Sequence, residues 1–274
     1  MPPACTWHRL RRRMRLIRPS TRNAAHMSDP TELTPTALPA GLDGVLIRMA
    51  LTPAPAAMAA AQMLAAELDR TPPKGTVEIA PGLVSVLVRF DAAVTTRDQL
   101  AKAMLRRASV IANDPPGLPD PARRWTIPAA FGGDHGPQLG EVARTVGQSE
   151  EAAIDEICSA DLRILAIGFA PGQPYVGLLP EAWNLPRMSE LNPQVPAGAL
   201  VSAVRQLVMF TAASTTGWRQ IAQTGFRCFD PGRDQPIPLR PGDAIRYTAV
   251  SASDMAGLMA TTDGLGGARL EVLR

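Results

Sequence analysis

Gly168–Pro180 reads GFAPGQPYVGLLP and follows directly on the apolar run LRILAI at 162–167. Three glycines and three prolines in thirteen residues are a heavy investment of backbone constraint in one turn. Pro171 and Pro174 fix φ, whereas Gly168, Gly172 and Gly177 accept positive φ or a close backbone approach, so the segment reads as a strand running into a preorganised loop. Placed at the mouth of a barrel, such a loop presents backbone N–H groups and the Tyr175 hydroxyl to a small amide or carboxylate without a large ordering cost. The same residues also suit a purely structural closure of the barrel, and the loop alone leaves both readings open.

Downstream of this turn the pattern is strands and turns. LRILAIGF, LVSAVRQLVMF at 200–210, RQIAQT, FRCF and AIRYTAV are separated by Pro-Gly, Gly-Arg-Asp and Pro-Gly-Asp, the punctuation of a closed or nearly closed β-barrel. Upstream lie two short helical patterns, Pro137–Thr145 and Ser149–Cys158, the second with Ser149 as cap and Glu150 and Glu151 in its first turn. Before them, DPPGLPDPARR at 114–124 has four prolines and no periodicity, and 114–126 reads as a linker. The first half orders as β-α-β-β-α: GVLIRM (44–49), AMAAAQMLAAELDR (57–70), TVEIA and LVSVLVRF joined at Pro81-Gly82, and TTRDQLAKAMLRRA with threonines to cap it and arginines to close it. The fold class expected is α+β, with a small domain over 38–113, a β-barrel domain over 127–250, a C-terminal extension over 251–274 and a disordered basic leader over 1–37.

The formal charge of +3 conceals an asymmetry. Residues 1–26 hold seven arginines and no acid, which leaves 21 basic against 25 acidic groups in the rest of the chain and removes the electrostatic support for nucleic-acid binding by its body. The leader has no apolar segment of signal-peptide length, and Met27 followed by SDPTEL reads as a second start. No window approaches the ~18 apolar residues of a membrane span. Cys5, Cys158 and Cys228 are scattered, which offers neither a disulfide framework nor a metal knuckle and fits a reducing cytoplasm.

The inventory also excludes chemistry. There is no GxxxxGK[ST] phosphate loop, and GGDHG at 132–136 lacks the lysine and hydroxyl that would meet phosphate and magnesium. No GxSxG elbow is present, and the two lysines, Lys74 and Lys102, sit far from the glycine-rich loops. His135 is the one histidine beyond the leader, a weak candidate for a lone acid or base that equally suits a solvated loop position. Cys228 alternates with large apolar residues in FRCF, the pattern of a packed thiol rather than a reactive one.

Three stretches together carry a resemblance. GFAPGQPYVGLLP, VPAG at 195–198 and GWRQIAQTGFRCFDP at 217–231, followed by RPGD at 240–243, resemble the segments GFxPGFxYLxGL, VPAG and GGWxxIGxTPxxxFDP of the group formed by the 5-oxoprolinase B-type subunit, allophanate hydrolase subunit 1 and KipI, the carboxyltransferase domain of subdomains C and D. The resemblance spans about residues 38 to 250. It implies a cyclophilin-like barrel and a non-autonomous subunit of an ATP-dependent amide or lactam hydrolase. The partners implied are a companion barrel subunit, of the 5-oxoprolinase C-type or the allophanate hydrolase subunit 2 type, and an ATP-dependent lactamase subunit of the A-type. ATP is then used by the complex, no cofactor or metal is held by this chain alone, and the small amide is 5-oxo-L-proline, opened to L-glutamate, or allophanate. The final LEVLR is similar to the start of that companion barrel subunit. A KipI-like inhibitor of a sensor histidine kinase is the alternative, and peptidyl-prolyl isomerisation rests on barrel analogy alone.

The residues this resemblance assigns to substrate binding are Phe169, Pro171, Gly172, Tyr175, Pro196, Gly198, Gln206, Gly217, Trp218 and Arg219, with Trp218 as an apolar wall and Arg219 as anion partner. Departures from the group concentrate after VPAG, where four glycine positions are Val201, Val204, Arg205 and Val208, and at Gln173. Side chains at those positions are expected to narrow or fill a pocket while leaving the strands intact.

Overall fold

The computed structural model describes residues 33–115, 117 and 119–273. The reading of the leader therefore lies outside the described residues up to position 32.

In the N-terminal unit β1 (Thr36–Ala40), β2 (Gly44–Arg48), β4 (Ser85–Phe90) and β3 (Thr76–Pro81) form one antiparallel sheet in that spatial order, and α1 (Pro55–Arg70) and α2 (Arg97–Asn113) cover it. Alternate residues Val45, Ile47, Val86 and Val88 are buried against Leu64 and Met104 of the helices, the two-layer arrangement that the β-α-β-β-α pattern requires. Strand β1 crosses the expected boundary at residue 38. It is a short edge strand containing Pro39, the position in a sheet where proline is tolerated, and this is why TALPA gave no strand signal. Thr96 caps α2 in a reciprocal pair with Gln99. The helix does not end at its arginines: Met104, Ala108 and Ile111 keep the apolar stripe on the core for another turn and a half, and Arg107 turns back to the Thr71 carbonyl at 2.7 Å.

The C-terminal unit is a closed barrel. Strands β12 (Arg219–Gln223), β9 (Ala199–Ala203), β10 (Gln206–Met209), β7 (Pro174–Gly177), β6 (Leu162–Ile167), β13 (Ala244–Ala249) and β5 (Arg123–Phe131) are consecutive neighbours, and β12 returns to β5 through Ala222 opposite Phe131 and Gln223 opposite Ala130. The β13–β5 pair is parallel and the other pairs of the barrel are antiparallel. Helices α3 (Leu139–Val146) and α4 (Glu150–Ser159, capped by Ser149) pack on β12 and β13. The lumen is solid, filled by Trp125, Ile127, Leu200, Met209, Phe226 and Tyr247 among others.

Three features of this unit differ from the sequence reading. Strand β5 begins at Arg123, inside the stretch read as linker, and carries Pro128 where β14 has ended and β12 has not begun. The stretch 251–274 contains α5 (Ala252–Met259) and β14 (Arg269–Val272), which pairs with β5, so it builds onto the barrel. FRCF is not a strand: Phe226 and Cys228 are buried and Arg227 is exposed, an alternation kept without a ladder. No described helix is long and apolar enough to cross a membrane.

LVSAVRQLVMF folds as a hairpin, β9 and β10, rather than as one strand. Its two-residue loop is Val204-Arg205, with φ +45° and +64°, the left-handed pair that such loops demand and that glycine or asparagine normally supplies. The turn is held from outside: the Val204 and Arg205 N–H groups donate to the carbonyls of Leu185 (2.8 Å) and Trp183 (3.0 Å), and the Arg205 guanidinium reaches the Leu179 carbonyl and Glu181. Replacing Val204, a half-exposed β-branched residue in left-handed backbone, by asparagine is expected to stabilise the protein by about 1 kcal/mol. A urea midpoint for Val204→Asn at or below that of the parent would show that the turn carries no such strain.

Candidate functional site

Strands alternate their side chains, so the β9–β10 hairpin has a second apolar face that points away from the lumen. Val201, Val208 and Phe210 on that face join Trp218 and Val195 in a separate cluster, with Tyr175 packed at its margin. Val195 comes from a two-stranded ribbon, β8 (Asn192–Val195) with β11 (Ser214–Thr216). Between this cluster, the ribbon and the Gly168–Pro174 turn opens a cavity of about 230 Å³. The expected opening beside the proline-braced rim is therefore present, but on the outer face of the barrel rather than in its lumen.

Trp218 is the wall of the cavity and is only 4% exposed. Its backbone N–H donates to Thr216 Oγ1 at 3.1 Å and its carbonyl accepts from Asn192 Nδ2 at 2.9 Å. Asn192 is clamped in turn by Gln138, whose Oε1 also accepts the Gln220 N–H at 2.6 Å, so α3, the ribbon and β12 jointly fix the indole. Tyr175 meets the ring edge-on, with centroids 6.2 Å apart and an interplanar angle of 73°, and the Arg187 guanidinium lies 5.5 Å from the ring centroid. Gln173 is buried, and its Oε1 accepts the Thr211 N–H at 3.4 Å. Phe169 projects over the opening with φ +72° and 81% exposure, a bulky residue in backbone that favours glycine.

Of the residues assigned from sequence, Phe169, Tyr175, Gly217 and Trp218 line this cavity together. The others stand behind it. Pro171 and Gly172 shape the turn, in which the Gln173 N–H closes on the Ala170 carbonyl at 3.1 Å; Gly172 has φ +73°, and a Cβ there would strike the Cys228 carbonyl. Pro196 and Gly198 splice the ribbon to β9, with Gly198 (φ +80°) pressed on the Thr224 carbonyl. Gln206 is buried in the ladder opposite Gly177 and Ala203. Arg219, expected to meet an anion, is committed elsewhere: Nε donates to Glu141 Oε1 at 2.8 Å and Nη1 to the Pro186 carbonyl at 2.7 Å. His135 ends a 3₁₀ turn (Gly133–His135) away from the cavity, contributing its carbonyl to Gln220 Nε2 at 2.9 Å.

The four former glycine positions divide by geometry. Val204 and Arg205 form the turn and fill no pocket; Val201 and Val208 face each other across the hairpin in the outer cluster, and Val208 lines the cavity. Narrowing is thus confined to one side chain. Arg187 and Leu191 also line the cavity and are not singled out by the sequence, because NLPRMSEL carries neither period nor motif.

Over residues 35–239 the chain matches the family model described as carboxyltransferase domain, subdomain C and D, and it belongs to that family. It is 34% identical over 171 residues to the B subunit of 5-oxoprolinase from Escherichia coli O157:H7, covering 62% of this chain and 77% of that one. Among solved structures it is similar to TTHA0988 in space group P212121, with 29% identity and a TM-score of 0.61 over 76% of this chain, and spans 40% of the length of that longer chain. The urea amidolyase of Kluyveromyces lactis shares the fold at 17% identity, with a TM-score of 0.72 over 89% of this chain and 16% of that one.

Among the described residues no group of three or more histidine, cysteine, aspartate or glutamate side chains is arranged to hold a metal ion. Burial pushes the Cys228 thiol up to about 12 from an ordinary value of 9.0, and it raises Cys158 and Tyr247 as well. The unfolded chain releases these protons sooner, so stability falls as the pH rises through about 9, the slope due to Cys228 ending near 12. Denaturant titrations between pH 7 and 10.5 are expected to show this decline, and Cys228→Ala to flatten it in part; a slope that persists unchanged would place the titration elsewhere. Trp218→Ala is expected to cost about 3–5 kcal/mol through the lost cluster, whereas Arg187→Gln, an exposed position bonded to no described side chain, is expected to cost less than about 1 kcal/mol in the same titrations.

Proposed function

We propose that this member of the carboxyltransferase subdomain C and D family is a non-autonomous component of a cytoplasmic, ATP-dependent amide or lactam hydrolase complex of the 5-oxoprolinase type, and that the cavity beside Trp218 receives its small amide substrate. The observation that carries the reading is convergence: the Gly168–Tyr175 segment and the Gly217-Trp218 pair are far apart in sequence and meet on one open cavity. The similarity to the B subunit of 5-oxoprolinase supports the reaction class.

The lining explains why the chain does not act alone. Among the described residues it holds no aspartate, glutamate, histidine, lysine or cysteine, so none of them titrates near neutrality to activate water or protonate a leaving nitrogen. What it supplies is positioning: an indole wall, a tyrosine edge and amide and hydroxyl donors on a stiff turn, which orient a planar amide and remove it from bulk water. Activation of a stable amide with ATP, and the acid and base of hydrolysis, fall to an A-type lactamase subunit and a companion barrel subunit, and no cofactor is needed by this chain itself.

The test is ATP-dependent glutamate release from 5-oxo-L-proline by a complex reconstituted with and without this chain. Turnover is expected to require the chain and to drop at least tenfold with Tyr175→Phe combined with Gln173→Ala. Turnover that is indifferent to the chain, or a tagged chain that brings down a sensor histidine kinase and neither partner subunit, would overturn the proposal in favour of a KipI-like regulator.

A further inference from the structure

Among the described residues, Arg187 is the one charged residue that lines the Trp218 cavity. The neighbouring arginines are engaged: Arg219 with Glu141 and the Pro186 carbonyl, Arg205 with Glu181 and the Leu179 carbonyl. Arg187 has neither a carboxylate nor a carbonyl partner among the described residues; its guanidinium carbon lies over the Trp218 ring, 5.5 Å from the centroid, within cation–π range. Around it stand groups with donor capacity to spare. Gln173 spends its Oε1 on the Thr211 N–H and donates to no described residue through Nε2, the Tyr175 hydroxyl has no described partner, and Thr216 Oγ1 accepts from the Trp218 N–H while keeping its own proton. The rest of the lining is Phe169, Leu191, Val208, Phe210, Gly217 and Thr215, whose hydroxyl donates to the Pro193 carbonyl at 2.8 Å.

Among the described residues the cavity has one unpaired cation, several free donors, no anion and several apolar side chains, a lining that suits a small carboxylate whose body is flat and weakly polar. We propose that Arg187 is the specificity-determining residue of this cavity: it takes the substrate carboxylate end-on or bidentately from the indole face, Gln173 and Tyr175 hold the amide oxygen, and the pocket thereby selects anionic amides such as a lactam carboxylate over neutral ones such as urea or a primary carboxamide. This rests on the cavity being the substrate pocket. It also replaces the assignment of the anion contact to Arg219, which the ion pair with Glu141 withdraws from the site.

Titration of the full chain with 5-oxo-L-proline and with its neutral counterpart 5-oxo-L-prolinamide, read by tryptophan fluorescence and by ligand-observed NMR, tests the inference. The acid is expected to bind at least tenfold more tightly than the amide, with the preference weakening as salt rises. Arg187→Gln is expected to remove the preference by weakening the acid alone, and Arg187→Lys to retain part of it; urea denaturation confirms that both variants fold. Equal binding of acid and amide by the parent, binding of neither, or an unchanged preference in Arg187→Gln would overturn the proposal. The complex assay separates the two levels. If Arg187→Gln leaves KM for 5-oxo-L-proline unchanged in a working complex, the anion site falls and the role in the complex stands. If acid is preferred through Arg187 but no complex turns over, the anion site stands and the role in the complex falls.

Discussion

Every residue of β9 and β10 is buried, which means that this hairpin is covered on both of its faces. A strand has only two faces, and in a barrel one of them belongs to the lumen. Leu200, Leu207 and Met209 satisfy the lumen so completely that no ligand can enter there. The other face must then be sheltered by something outside the barrel, and the β8–β11 ribbon with Trp218 supplies the shelter. Because the ribbon and the proline-braced turn do not quite meet, the shelter leaves a cavity. The site is therefore a consequence of covering an outward sheet face, and its position follows from strand alternation before any catalytic consideration enters.

The replaced glycines show how the same hairpin tolerates divergence. Two of the four positions are in left-handed backbone, where a side chain costs about 1–2 kcal/mol but changes no cavity. Three backbone bonds and the Arg205 contacts to Leu179 and Glu181 hold that turn closed regardless of its residue types. The other two are a register pair on the outer face; both valines add apolar contact to the cluster under Trp218, and Val208 alone takes volume from the cavity. Stability and pocket size are thus set by different glycine positions within one short hairpin.

Much of this was legible in the sequence because the physics is local. The βαββα order, the Thr96 and Ser149 caps, the hairpin between β3 and β4 (whose turn starts at Gly82, Pro81 being the last residue of β3 opposite Val86) and the switch to short strands after residue 162 are all consequences of period and turn chemistry. What was not legible depends on partners distant in sequence. TALPA and RRWTIPAAF contain prolines that only an edge or a gap in pairing makes acceptable, and no local rule reveals where such a gap falls. The Val204-Arg205 turn lacks every residue that announces a hairpin and exists because Trp183 and Leu185 accept its N–H groups. In the site, Tyr175 and Trp218 were visible in motifs. Arg219 and Arg187 could not be told apart without knowing that Glu141 stands beside one of them and an indole face beside the other.

That division of labour between two arginines bears on how the cavity works once covered. Arg219 is spent on holding α3 to the 186–188 segment, and so positions the backbone from which Arg187 projects. Arg187 itself stands at an open mouth, where water of high dielectric weakens its pull on any anion to the order of 1 kcal/mol at 4 Å. The rim around it, Phe169 and Leu191, is exposed and apolar. A polypeptide seated on that rim would exclude water, lower the local dielectric and multiply the same charge interaction several-fold without moving an atom of this chain. If a carboxylate binds beside Arg187 and a partner covers the rim, affinity and assembly would be two views of one desolvation step, with the exposed Phe169 side chain among the surfaces removed from water.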